Sequence, residues 1–382
     1  MIYFDNNATT GMAGPAVAAM LPFLSESYSN PSSAYSFARA SRTAIENARQ
    51  NVAALLGAEN ANEIVFTSGG TESDNWAIRG SLQAKKGKNR IVTTRVEHEA
   101  VRNLCDTLET DGFEIVRLDV DGEGMIDLDL LAEAVDDQTA VVSIMLANNE
   151  TGVIFPVSEV AEIVRSRSDA LVHADAVNAA GKVPIDADGW GIDLISISAH
   201  KFHGPKGVGA LYIRNGVSLP SQSVGGGQES GRRAGTEAVH QIVGMGAAAE
   251  FVADLSAMQR VGGLRDRLEK GILESVSGTS INGGGSPRIP NTSNISFAEA
   301  NGEGILARLN DIGVCVSTGS ACNEGSHTVS PVLKAMEVPF ELATGSVRFS
   351  LSRFNTDSEV DEVLEALPGI VSDLRRASAA GA

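Results

Sequence analysis

Ile64-Val65-Phe66-Thr67 runs directly into Ser68-Gly69-Gly70-Thr71-Glu72 and then into a stretch with helical spacing. The first four residues are apolar or β-branched with no polar alternation, the mark of a strand buried on both faces. Glycines followed by threonine at a helix start form a nest of backbone N–H groups suited to a phosphate. The pattern repeats along the chain. Ile91-Val92-Thr93-Thr94 precedes a helix through Ala100-Val101-Arg102-Asn103-Leu104. Val141-Val142-Ser143-Ile144-Met145, Leu171-Val172-His173-Ala174 and Leu194-Ile195-Ser196-Ile197 follow as further strands. Strands separated by helices imply right-handed crossovers and a mostly parallel α/β sheet between helical layers.

Near residue 250 the character changes. A helical run through Leu264–Leu273 leads to the turn Asn282-Gly283-Gly284-Gly285-Ser286-Pro287. Strands at Asn294–Phe297, Val314–Ser317 and Val347–Leu351 then alternate with a helix at Glu303–Leu309. Thr356-Asp357-Ser358-Glu359 is a capping box that opens a last helix. The reading is a large domain over 12–255 and a smaller α+β domain built from 1–11 and 256–382.

The chain has 382 residues, 43% hydrophobic and 20% charged, enough for a sizeable core without metal or disulfide staples. Lys plus Arg is 30 and Asp plus Glu is 48, a net charge of −18. Such acidity excludes sequence-independent nucleic-acid binding and an anionic membrane surface as partners. The first residues carry no basic, apolar-cored leader, and no apolar stretch approaches the length of a membrane span. The three cysteines, Cys105, Cys315 and Cys322, are an odd and sparse set, read as free thiols of a reducing, cytoplasmic compartment.

Chemistry concentrates where strands end. Ser198-Ala199-His200-Lys201 follows a buried strand, so Lys201 stands at the carboxyl edge of the sheet, where α/β folds bind ligands. Desolvation there favours a Schiff-base lysine, though a surface lysine at a strand end reads the same way. Asp175 ends the strand before it. A carboxylate so placed suits the ring nitrogen of pyridoxal 5′-phosphate, whose electron-sink chemistry needs that nitrogen protonated, and equally suits a helix cap. His98 sits at another strand-to-helix turn, as a ring-stacking acid/base or as an N-cap.

Beyond these single motifs, the chain resembles the NifS/IscS-type cysteine desulfurases of the class V aminotransferase family. The matching segments include Tyr3–Thr10, Asn30-Pro31-Ser32-Ser33, Thr67–Asn75, Ala147–Gly152 and His173-Ala174-Asp175-Ala176. They continue through Ser198–Gly207, Gly231–Glu237, Ser317–Cys322 and Val347–Phe354, spanning almost the whole chain in order. The resemblance implies a pyridoxal-phosphate fold of type I and the conversion of L-cysteine to L-alanine. The sulfur passes to an enzyme cysteine as a persulfide and then to an acceptor protein.

It also implies site roles. Lys201 carries the cofactor, Asp175 pairs with the ring nitrogen and His98 covers the ring face. Gly70, Thr71, Ser198 and His200 hold the phosphate, and Thr236 reaches the phosphate of a neighbouring subunit, implying a homodimer. Asn149 lies near the ring's phenolic oxygen. Arg348, assisted by Asn30, clamps the substrate carboxylate, and Cys322 accepts the sulfur. One position departs from the pattern: Asn178 stands where the family usually has a glutamine that bonds the ring's phenolic oxygen, so the cofactor-binding amide is kept but one methylene shorter. Cys322 lies in a segment rich in small and polar residues, as a travelling thiol requires, whereas Cys105 and Cys315 read as packing residues. A selenocysteine lyase, a transaminase or a scaffold without cofactor are the competing readings.

Overall fold

The computed structural model describes residues 1–318 and 329–381. In chain order its strands are β1 (Ile2–Tyr3), β2 (Ile64–Thr67), β3 (Arg90–Thr94), β4 (Glu114–Leu118), β5 (Thr139–Met145) and β6 (Leu171–Asp175). They continue with β7 (Leu194–Ser198), β8 (Gly209–Ile213), β9 (Thr279–Ile281), β10 (Thr292–Phe297), β11 (Val314–Cys315) and β12 (Ser346–Ser350). A central sheet takes the order β2-β8-β7-β6-β5-β3-β4. Its pairs from β4 through β7 are parallel, while β8 runs antiparallel to both β7 and β2. Every residue of β2, β5, β6, β7 and β8 is buried; the runs are mainly apolar, and the polar Ser143, His173 and Ser196 among them bond one another.

Two strands of this sheet escape the sequence reading. The edge strand β4 is only partly buried and its Glu-Ile-Val-Arg-Leu lacks a continuous apolar run. β8 begins Gly209-Ala210, residues with poor strand propensity. The glycine is needed: a Cβ at 209 would lie 2.7 Å from the Cα of Gly69, so only glycine lets β8 pass beneath that turn.

A second core gathers Phe4, Leu268, Ile295, Phe297, Val347 and Phe349. It lies between the antiparallel sheet β12-β10-β9 and the helices Ser256–Ser275 and Asp357–Gly381. The capping box forms as expected: Thr356 N–H donates to the Glu359 carboxylate at 2.8 Å and Glu359 N–H returns to Thr356 Oγ1 at 3.4 Å. The N-terminal segment stitches the two cores. β1 pairs with β11, and Thr10 N–H donates to the His200 carbonyl.

Candidate active site

β6 and β7 end side by side, and the loops beyond them, with the N-terminus of the helix Gly70–Ala84, enclose a cleft of about 590 Å³ including its open mouth. The cleft brings together Lys201, Asp175, His98 and Asn149 with Gly70, Thr71, Ser198, His200 and Asn178. Nine of the sequence-predicted positions therefore converge from five separate stretches of chain. Met145, Ala147 and Val177 complete the lining. These apolar positions carry no sequence signature beyond lying near strand ends.

One end of the cleft is built for an anion. The helix Gly70–Ala84 points its N-terminal amides there, where helix geometry leaves donors unsatisfied. Val177 packs so closely that a Cβ on Gly70 would stand 2.7 Å from its Cγ2. The hydroxyls of Thr71 and Ser198 border the same space.

Lys201 follows β7 in a short 3-10 turn, and its ammonium donates to the carbonyls of Asn7 and Ala8. His98 is both an N-cap and a cleft residue: its Nδ1 accepts the Ala100 N–H at 3.1 Å. For a neutral ring that bond assigns the proton to Nε2, which leaves a donor for the cleft.

Asp175 is buried, and one of its carboxylate oxygens accepts the Val177 N–H at 2.9 Å. Burial raises its pKa, and the opposing charges of His98 and Lys201 pull it back down. Two further carboxyls lie buried nearby. Burial, with the charges of Asp175 and Glu97, pushes Asp74 well above the carboxylate range, and burial pushes Glu97 up to about 8. Asp74 Oδ1 and Glu97 Oε2 have no hydrogen-bond partner among the described residues. Of the three buried carboxyls, Asp175 is the one that faces the opposing charges of His98 and Lys201. His173 lies 3.6 Å from Asp74, but burial drives its pKa down to about 3, so this contact joins neutral groups and is no ion pair. The imidazole is instead held between Ser143 and Ser196, each at 2.9 Å.

Arg348 lies on β12, outside the cleft lining, buried and bound to its rim. Its Nη1 donates to the Asn149 carbonyl at 3.0 Å, its Nη2 pairs with Asp5 at 2.7 Å, and its Nε has no partner among the described residues. Asp5 was not singled out by the sequence reading, because the pairing spans the whole chain.

Thr236 and Asn30 do not join the cleft of their own chain. Thr236 is exposed, and Asn30 Oδ1 accepts the Ser32 N–H at 2.9 Å. Asn178 is present, but its carboxamide is committed on one side: Nδ2 donates to the Asn148 carbonyl and Oδ1 accepts from Lys182. Cys322 lies outside the described residues. Cys105 is buried in the helix Glu99–Thr110, where burial pushes its thiol up to about 12, consistent with a packing role.

The model of the aminotransferase class-V family matches residues 2–363. The chain belongs to that family. Among class-V relatives it is 47% identical to the cysteine desulfurase NifS of Azotobacter vinelandii over 379 residues, covering 99% of this chain and 94% of that one. A solved NifS-like protein superposes with a TM-score of 0.91 at 40% identity, covering 98% of this chain and all of the other. A structure of SspA in complex with cysteine superposes with a TM-score of 0.83 at 34% identity over 93% of this chain. These neighbours share the class-V fold, with its central, mostly parallel sheet.

Proposed function

We propose that this protein is a pyridoxal 5′-phosphate-dependent cysteine desulfurase that converts L-cysteine to L-alanine and holds the sulfur as a persulfide. The observation that carries the reading is the convergence of Lys201, Asp175 and His98 on one cleft whose far end is an amide-rich helix terminus. The residues fit the group. A buried anion meets a ring nitrogen, a lysine meets an aldehyde, and the Gly70 terminus with Thr71, Ser198 and His200 holds a phosphate. The complex of SspA with cysteine supports cysteine as the substrate class.

When bound, pyridoxal phosphate supplies an electron sink for the carbanion formed at the substrate's α-carbon. The remaining work belongs to the chain. Arg348 would bind the substrate carboxylate, with Asn30 and Asn149 assisting, and so fix how the substrate is oriented in the cleft. Asp175 keeps the ring nitrogen protonated. Lys201, with its amine in the cleft, would be the base that moves the α-proton. His98 Nε2–H is the acid at the substrate thiol. The Cys322 thiolate attacks the substrate sulfur: a sulfur–sulfur bond forms as the carbon–sulfur bond breaks, and the electron pair of that bond takes up a proton in alanine. An acceptor thiol then collects the sulfur.

The working unit in this reading is a homodimer, with Thr236 reaching the partner's phosphate. Leu21, Leu24 and Tyr28 stand exposed on one stretch, and Val224 is 98% exposed in the loop leading to Thr236, as surfaces awaiting a second copy would be. The sulfur acceptor is a protein met in the cytoplasm. Among the described residues no helix is long and apolar enough to cross a membrane.

The test is to load the protein with pyridoxal phosphate, reduce with borohydride and map the labelled peptide. Label on Lys201 is expected. Label elsewhere, or no uptake of the cofactor by folded protein, overturns the reading.

A further inference from the structure

Lys182 is buried beneath the cleft, one turn after Asn178, and enters none of the steps above. Its Nζ donates to three oxygens: Asn178 Oδ1 at 2.7 Å, the Asn178 carbonyl at 2.9 Å and Asn7 Oδ1 at 3.2 Å. No carboxylate pairs with it among the described residues. A buried lysine without a counter-ion is costly, and here burial, Lys201 and Arg348 all push its pKa well below the usual value. Yet all three of its acceptors are amide oxygens that can only accept, which matches the three donors of an ammonium.

The consequence falls on Asn178. A carboxamide has a donor end and an acceptor end, and its neighbours decide which way it faces. Lys182 claims Oδ1, and the Asn148 carbonyl takes one Nδ2 hydrogen at 3.1 Å. The second Nδ2 hydrogen is left for the cleft, which Asn178 lines. With Lys182 absent, Oδ1 loses its donor and only the Asn148 carbonyl still holds the Nδ2 end, so turning the oxygen inward costs less. The same ammonium braces Asn7, whose carbonyl receives Lys201.

We propose that Lys182 is a positioning residue that locks the Asn178 carboxamide with its N–H toward the cleft, presenting a donor to the anionic ring oxygen of bound pyridoxal phosphate. The proposal rests on the functional reading above and deepens it. It gives the shorter asparagine a physical role: what it lacks in reach is offset by an orientation that the buried Lys182 donor enforces. The charged and titratable groups around Lys182 are Lys201, Arg348, His200 and His203.

The test is the pH dependence of the cofactor's visible absorption in the loaded protein. A donor to the ring oxygen stabilises the deprotonated chromophore, so its loss raises the midpoint. Lys182→Met is expected to raise it by at least about half a pH unit, roughly threefold in proton affinity. Lys182→Gln, which keeps one N–H for Asn178 Oδ1, is expected to stay close to the parent. In an Asn178→Ala background the Lys182→Met shift is expected to fall to less than half. An equal shift in both backgrounds means that Lys182 acts by charge alone and overturns the proposal, as does an unmoved midpoint in a variant that retains cofactor. Should Lys182→Met not fold, Asn178→Asp is read instead: it keeps Lys182, removes the N–H and must raise the midpoint. Failure of the unmutated protein to bind the cofactor defeats the functional reading itself, a distinct outcome.

Discussion

Replacing Arg348 by lysine keeps the charge and removes the fork. The guanidinium spans two fixed partners on the cleft rim, the Asn149 carbonyl at 3.0 Å and the Asp5 carboxylate at 2.7 Å, while its Nε stays without a partner among the described residues. In the proposed function, a substrate carboxylate would meet a guanidinium already held in place. Lysine has one nitrogen where arginine has three. It cannot bond Asp5, the Asn149 carbonyl and a substrate carboxylate together in the same geometry. The expected loss is one charge-assisted hydrogen bond, about 1.5–3 kcal/mol. That corresponds to about a 10- to 150-fold fall in kcat/KM, at 1.4 kcal/mol per factor of ten. Because the carboxylate is bound before and during the chemistry, most of the loss is expected in KM. The assay is steady-state alanine release from L-cysteine with an excess of acceptor thiol, beside a thermal melt to exclude unfolding. A KM within about twofold of the parent, in a folded protein, refutes the assignment of Arg348 to the substrate carboxylate.

Two further predictions concern what surrounds the site. Arg49 binds Glu229 through two nitrogens, at 2.7 and 2.8 Å, and Glu229 also accepts the Phe66 N–H, pinning the loop that carries Thr236 to β2. Arg49→Met leaves that carboxylate buried and unpaired and is expected to cost about 3–5 kcal/mol in urea unfolding; a cost below about 1 kcal/mol contradicts the pairing. Glu97 keeps its proton in the folded protein up to about pH 8, whereas an ordinary glutamate releases it near 4.5. The folded state thus holds an extra proton across that window, so stability falls as pH rises through it. Glu97→Gln is expected to flatten this slope by up to about one proton, and an unaltered slope in denaturant titrations sinks the assignment.

The central sheet and the cleft were legible in the sequence for a shared reason. A strand buried on both faces is mainly apolar, so a charged residue at or just beyond its end is conspicuous: Asp175 closes β6, and Lys201 lies in the turn that follows β7. β4 was not legible because an edge strand exposed on one side carries charges within its run. The pairing of Asp5 with Arg348 joins residues 343 apart and leaves no local trace. Lys182 was missed because its spacing to Asn178 reads as an ordinary turn. Only the packing shows that Lys182 lies beneath the cleft with its amine on the carboxamide that lines it. Asn178 itself was read as a shortened reach toward the ring, whereas the structure commits half of its amide to Lys182. Asn30 and Thr236, inferred from resemblance, stay outside the cleft of their own chain, and Thr236 suits a site completed by a second copy.

The most direct measurement of the central claim is a single turnover. Protein loaded with pyridoxal phosphate is mixed with L-cysteine in the absence of any acceptor thiol, and alanine and enzyme-bound sulfur are counted together. The account predicts one alanine for each persulfide, with the persulfide on Cys322 and none on Cys105 or Cys315. Alanine formed while Cys322 remains an unmodified thiol, or cysteine consumed without alanine, contradicts it.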